Sequence, residues 1–121
     1  MENLIIEKTN ETPQVIFNGD KGFFSIAGKS YPENVTDFYQ PLLDYIESYK
    51  LNPQEKTTLE FRWLYYNTST SKMIVKIIML LKDANKDFEI KWICKKDFDV
   101  IIEKGKELKE VLEVNLSIEI E

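Results

Sequence analysis

Thr57-Thr58-Leu59-Glu60-Phe61-Arg62-Trp63-Leu64-Tyr65-Tyr66, then Asn67-Thr68-Ser69-Thr70-Ser71-Lys72, then the apolar run Met73 to Leu81, is the stretch that decides the fold. Its first part has the period of a strand: Leu59, Phe61, Trp63 and Tyr65 alternate with Thr58, Glu60 and Arg62. Leu64 and Tyr66 make the far end apolar on both sides, which suits a central strand covered by helices. Beyond the joint only Lys76 interrupts the apolar run, so a helix with a broad apolar face is expected from about Thr70 to Asn85. Four consecutive hydroxyl residues, Thr68 to Ser71, fill the joint. A hydroxyl at a helix start can cap the helix, attack an electrophile or accept a phosphoryl group.

Downstream, Phe88, Ile90, Trp92 and Cys94 alternate with charged residues as a second inner strand. Asp97 is expected to open a third helix with Phe98, Ile101, Ile102 and Leu108 inward. Gly105 weakens its middle by about 1 kcal/mol relative to alanine. Val114, Leu116, Ile118 and Ile120 alternate with polar residues in a half-exposed final strand. Upstream, Val35, Phe38, Tyr39, Leu42, Leu43, Ile46 and Tyr49 follow one helix face from a cap at Asn34 or Thr36, with Pro53 just beyond. Pro41 implies a kink or an irregular first turn. Val15-Ile16-Phe17 and Phe23-Phe24-Ser25-Ile26 flank Asn18 to Gly22 as a hairpin. Leu4 to Glu7 is a short apolar segment, and Gly28 to Asn34 is expected to be a loop. The order of elements predicts a single α/β domain over 1–121, a mixed and partly parallel sheet with packed helices. Ligands and switches in such sheets sit at the carboxyl ends of strands, where Asn67-Thr68 falls.

Composition limits the chemistry. The chain has 121 residues, a net charge of −5 and no histidine, which removes the commonest general base and metal ligand. Arg62 is its one arginine, and with an acidic balance no nucleic-acid groove is expected. Acidic residues show no metal-binding spacing, and no glycine-rich phosphate loop is present, so neither metal nor organic cofactor is expected. No apolar stretch is long enough to span a bilayer and no leader pattern opens the chain, so no membrane association and a cytoplasmic location are expected. The single Cys94 reads as a small buried hydrophobe, and Trp63 and Trp92 read as core. Arg62 is expected in a surface ion pair. Thr68 as a nucleophile would lack a base, so no enzyme activity is expected. As a plain cap it would need no further role. As a phospho-acceptor it would sit where the helix dipole tolerates an anion.

Thr12-Pro13, Tyr31-Pro32-Glu33-Asn34, Phe38-Tyr39-Gln40-Pro41 and especially Tyr66-Asn67-Thr68-Ser69-Thr70-Ser71-Lys72 resemble the SiaC family of bacterial regulatory phosphoproteins. The likeness runs over nearly the whole chain, and the asparagine-threonine-serine segment is its most specific part. The resemblance implies a fold similar to STAS domains of the anti-sigma-factor-antagonist type and a non-enzymatic partner-switching role. A cognate serine/threonine protein kinase would phosphorylate the threonine matching Thr68, and a metal-dependent protein phosphatase would reverse it. The unphosphorylated form would bind a downstream target such as a diguanylate cyclase. Tyr66, Asn67, Ser69, Thr70, Ser71, Lys72 and Lys76 are the candidate partner contacts. Thr70 stands where many relatives carry serine and offers a second acceptor. The alternative is a STAS-like adaptor or small-anion-binding module in which Thr68 only caps the helix.

Overall fold

The computed structural model describes every residue from Met1 to Glu121. Its elements are β1 (Leu4–Ile6), β2 (Gln14–Asn18), β3 (Phe23–Ser30), α1 (Val35–Lys50), β4 (Thr57–Tyr66), α2 (Thr68–Ala84), β5 (Phe88–Cys94), α3 (Asp99–Leu112) and β6 (Leu116–Ile120). The six strands lie in sequence order in one sheet. β1, β2 and β3 pair antiparallel, and β3 to β6 run parallel. The expected mixed sheet is therefore present, with β4 at its centre.

The hairpin between β2 and β3 closes through a single 3-10 turn, Gly19–Lys21, with Gly22 left-handed at φ 62°. A Cβ at Gly22 would also meet the Lys56 carbonyl oxygen, so glycine is needed there twice over. Each parallel neighbour is reached through one helix. Crossovers of one hand, stepping the same way along the sheet, place all three helices on one face. Burial agrees: Thr57, Leu59, Phe61 and Trp63 of β4 are buried, while Thr58, Glu60, Arg62 and Leu64 are not. The expectation that helices cover β4 holds for that face only. Its other face is open and polar, and there Arg62 bonds Glu60 and Glu121, the expected surface ion pair. One apolar cluster of 24 residues, with Trp63 and Trp92 inside it, joins the sheet to the helices.

Alternation in β4 breaks once. The register with β3 slips between Gly28 and Lys29, so that Gly28 faces Trp63 and Lys29 faces Tyr65, leaving Leu64 as the extra residue. A bulge re-aims the side chains after it. Tyr65, expected inward, is 50% exposed, and Tyr66 turns inward at 4%. β3 consequently continues through Ser30, where a loop from Gly28 was expected.

Helix ends also differ from the pattern reading. α1 begins after an Asn34 cap, as expected, and runs through Pro41. α2 starts at Thr68 rather than Thr70, because Asn67 supplies the cap. α3 starts at Asp99 rather than Asp97, whose φ of 71° is not helical, and Phe98 is partly exposed instead of inward. Gly105 has a packing reason: a Cβ there would lie 2.5 Å from Trp92. No helix is long and apolar enough to cross a membrane.

Candidate functional site

The site is built where β4 ends and α2 begins. β4 delivers the chain to the carboxyl edge of the sheet, and the Asn67 backbone N–H donates to the Ser30 carbonyl oxygen of β3 at 3.1 Å. Asn67 has extended backbone angles and accepts at Oδ1 from the Thr70 N–H, 3.0 Å. That satisfies one free donor of the first turn and defines the cap. Capping therefore belongs to Asn67, and Thr68 is left as the first residue of the helix.

The four hydroxyls have different fates. Ser69 Oγ donates to Asn67 Oδ1 at 3.0 Å. Ser71 Oγ donates to the Thr68 carbonyl oxygen at 2.6 Å. Thr70 Oγ1 donates to the Ser30 carbonyl oxygen at 3.1 Å and contacts Ser30 Oγ at 2.9 Å. Thr68 alone is exposed with a hydroxyl that has no partner within the chain. The first turn carries no acidic residue. The positive end of the helix dipole thus lies beside the free hydroxyl and is uncompensated.

One turn on from Thr68, Lys72 and then Lys76 project from the same exposed edge of α2. Neither takes part in an ion pair. Lys72 also borders a groove of about 410 Å³ between α2 and α3, with Tyr66 and Val75 on one side and Lys104, Leu108 and Val111 on the other. The Lys104 ammonium stands 4.3 Å from the Tyr66 ring centroid, a cation–π distance. Burial, and then the charge of Glu107, push the Tyr66 phenol well above its ordinary value. It is a neutral donor at any physiological pH.

Placement sorts the expected contacts. Thr68, Lys72 and Lys76 are exposed, and Asn67, Ser69 and Ser71 are half-buried around them. Tyr66 reaches the surface only as part of the groove wall. Thr70 is fully buried, so it is neither a surface contact nor a second acceptor in the folded chain. Its hydroxyl serves Ser30 instead. Sequence reading missed the α3 wall of the groove, because a helix face gives no sign of which neighbour it will meet. It also missed Tyr31 and Tyr65, both exposed and packed edge to face at 5.9 Å. The bulge at Gly28 is what turns Tyr65 outward. Cys94 is buried, and burial pushes its thiol up. No three acidic or cysteine side chains lie close enough together to hold a metal.

A helix start with one free hydroxyl, mounted at the carboxyl edge of an open mixed sheet, marks the site of a small α/β domain. Residues 6–121 match the family described as SiaC family regulatory phosphoprotein, and the chain belongs to that family. It is 29% identical over 113 residues to an uncharacterised protein of Pseudomonas aeruginosa, strain UCBPP-PA14, covering 91% of this chain and 90% of the other. The structure of apo-SiaC from Pseudomonas aeruginosa superposes with a TM-score of 0.86 at 28% identity, covering 98% of this chain and 99% of that one. A chain in the structure of the diguanylate cyclase SiaD in complex with its activator SiaC, from the same organism, matches with a TM-score of 0.90 at 27% identity, again over 98% and 99%.

Proposed function

We propose that this protein is a non-enzymatic partner switch, in which phosphorylation of Thr68 by a serine/threonine kinase controls binding to a diguanylate cyclase. A metal-dependent phosphatase restores the binding form. The observation that carries the reading is the free, exposed Thr68 hydroxyl in a turn whose other hydroxyls are all engaged. Family membership and the SiaD–SiaC complex of the relative support a cyclase as the class of partner.

The docking surface centres on Thr68 and the exposed edge of α2, with Asn67, Ser69, Ser71, Lys72 and Lys76 around it and the groove to α3 alongside. Phosphate adds a charge of about −1.5 to −2. The helix start accommodates it through free N–H groups and the dipole. A partner carrying a negative group within about 4 Å instead loses on the order of 4 kcal/mol at an effective dielectric near 20. Each 1.4 kcal/mol is tenfold, so the expected loss of affinity is about a hundredfold or more.

The test is calorimetric titration of a diguanylate cyclase from the same genome with four forms of the protein. Wild type and Thr68→Ala should bind alike, Thr68→Asp more weakly, and the phosphorylated protein most weakly. Equal affinity of phosphorylated and unphosphorylated protein would defeat the switch.

A further inference from the structure

Beneath the acceptor turn lies a buried chain of hydroxyls that joins three elements. Tyr39 of α1, Ser30 of β3 and Thr70 of α2 are all fully buried. Tyr39 Oη lies 2.6 Å from Ser30 Oγ, and Ser30 Oγ lies 2.9 Å from Thr70 Oγ1. Thr70 spends its one hydrogen on the Ser30 carbonyl oxygen at 3.1 Å. Each hydroxyl has a single hydrogen to donate. With that hydrogen on the carbonyl, Ser30 donates to Thr70 and Tyr39 donates to Ser30. The bonds then run from Tyr39 to Ser30 to Thr70 to the Ser30 carbonyl. That carbonyl also accepts from the Asn67 N–H, so it anchors both ends of the turn. Burial pushes the Tyr39 phenol up to about 12, which keeps the first donor of the chain protonated.

Resting on the reading of Thr68 as an acceptor, we propose that Ser30, Tyr39 and Thr70 are positioning residues: a latch that holds the first turn of α2 shut and leaves Thr68 as the only hydroxyl offered to a kinase. The argument is one of competition. Ser69 and Ser71 are half-buried and donate within the turn. Their bonds go to Asn67 Oδ1 and to the Thr68 carbonyl, groups that keep their places only while the turn stays wound. If the turn frays, Ser69 and Ser71 lose those acceptors and become as available as Thr68. Thr70 is the one side chain of the joint that reaches into the core, so the latch at Thr70 is where fraying is resisted. Acceptor choice is then set by a network that no kinase touches.

Amide hydrogen exchange tests the latch without a kinase, since local opening is read residue by residue. The amides to follow are Asn67, Thr70 and Ser71, each hydrogen-bonded in the turn. Thr70→Val and Tyr39→Phe should each speed their exchange about five- to tenfold, the scale of one buried neutral hydrogen bond. Thr70→Ser, which keeps the hydroxyl, should restore protection. Tyr49→Phe is the control. It removes the buried bond of Tyr49 Oη to Thr57 Oγ1 at 2.7 Å and the one Tyr49 Oη accepts from the Gln54 N–H at 3.1 Å, both far from the turn, and should leave these amides unchanged. Equal acceleration by Tyr49→Phe, or none by Thr70→Val, overturns the latch.

The second arm is phosphorylation by a native cell extract with ATP, with sites mapped by mass spectrometry. Wild type should carry phosphate at Thr68 alone, and Thr70→Val should carry it at Ser69 and Ser71 as well. Wild-type phosphate at Ser69 or Ser71 contradicts acceptor selection. If no phosphate enters the wild type, the switch reading fails, while the exchange contrast still decides the latch.

Discussion

Replacing Thr68 by aspartate should stabilise the fold, and the size of the gain follows from the surroundings of one residue. Thr68 is exposed and its hydroxyl is unbonded, so the substitution breaks no hydrogen bond and opens no cavity. Threonine and aspartate have similar helix propensities. The first turn of α2 carries no acid, so the new carboxylate meets an uncompensated dipole, worth about 0.3–1 kcal/mol at an exposed helix start. Lys72 is four residues on with no ion pair of its own, and an acid placed N-terminal to a lysine at that spacing adds about 0.2–0.5 kcal/mol. The net expectation is a gain of about 0.5–1.5 kcal/mol. With a urea m-value of about 1.5 kcal/mol/M, the midpoint should rise by about 0.3–1 M with the slope unchanged. Both contributions are electrostatic, so most of the gain should vanish in 1 M salt, where the screening length is about 3 Å. Thr68→Asn has nearly the same shape without the charge and should shift the midpoint by much less. The refuting result is a Thr68→Asp protein less stable than Thr68→Asn at low salt. An anion at this position would then strain the helix start, and phosphate would act by loosening the turn instead of by blocking a docked partner.

Gly105→Ala should destabilise the protein by up to about 2 kcal/mol in urea denaturation, although alanine is the better helix former. The added Cβ lies 2.5 Å from Trp92 and 2.8 Å from Ile118, and moving the indole endangers its 2.9 Å bond to the Ile101 carbonyl, so overpacking exceeds the gain in propensity of about 1 kcal/mol. Stability should also fall at high pH. The Tyr39 phenol is raised to about 12 by burial against an ordinary 10, so its contribution is complete below pH 10 and is lost as pH rises towards 12, where the unfolded chain ionises first. Tyr39→Phe should flatten that decline, and a decline equally steep in the mutant would show that other groups cause it.

Much of this architecture was open to a reader of the chain. The alternation of Leu59, Phe61 and Trp63 marks β4, and the apolar run after Lys72 marks α2, because both carry their period in consecutive residues. The alternation of Leu116, Ile118 and Ile120 marks β6 for the same reason. The inward turn of Tyr66 was not legible. It depends on a register slip that one strand cannot reveal, since a bulge is a property of a pair. The one-sided layering of the helices was equally hidden. Leu64 and Tyr66 suggested cover on both faces, and the bulge at Leu64 supplies the reason for that apolar pair. Gly105 looked like a defect in α3, because the indole that requires it comes from another element.

The sequence by itself determined that a hydroxyl-rich joint sits at the carboxyl end of the central strand, because local periodicity places both elements and the break between them. It also determined that the joint lacks histidine and clustered acids, which is a matter of composition. It did not determine which hydroxyl is free. Thr68, Ser69, Thr70 and Ser71 are chemically alike in the chain, and their fates diverge only through hydrogen bonds. Ser69 and Ser71 are engaged by the wound turn itself. Thr70 is claimed by Ser30, 40 residues away. Only the pairing of β3 with β4 brings that residue beneath the helix start. A hydroxyl group has one hydrogen to give, and tertiary structure decides where each one goes. Thr68 is the residue whose hydrogen is left over.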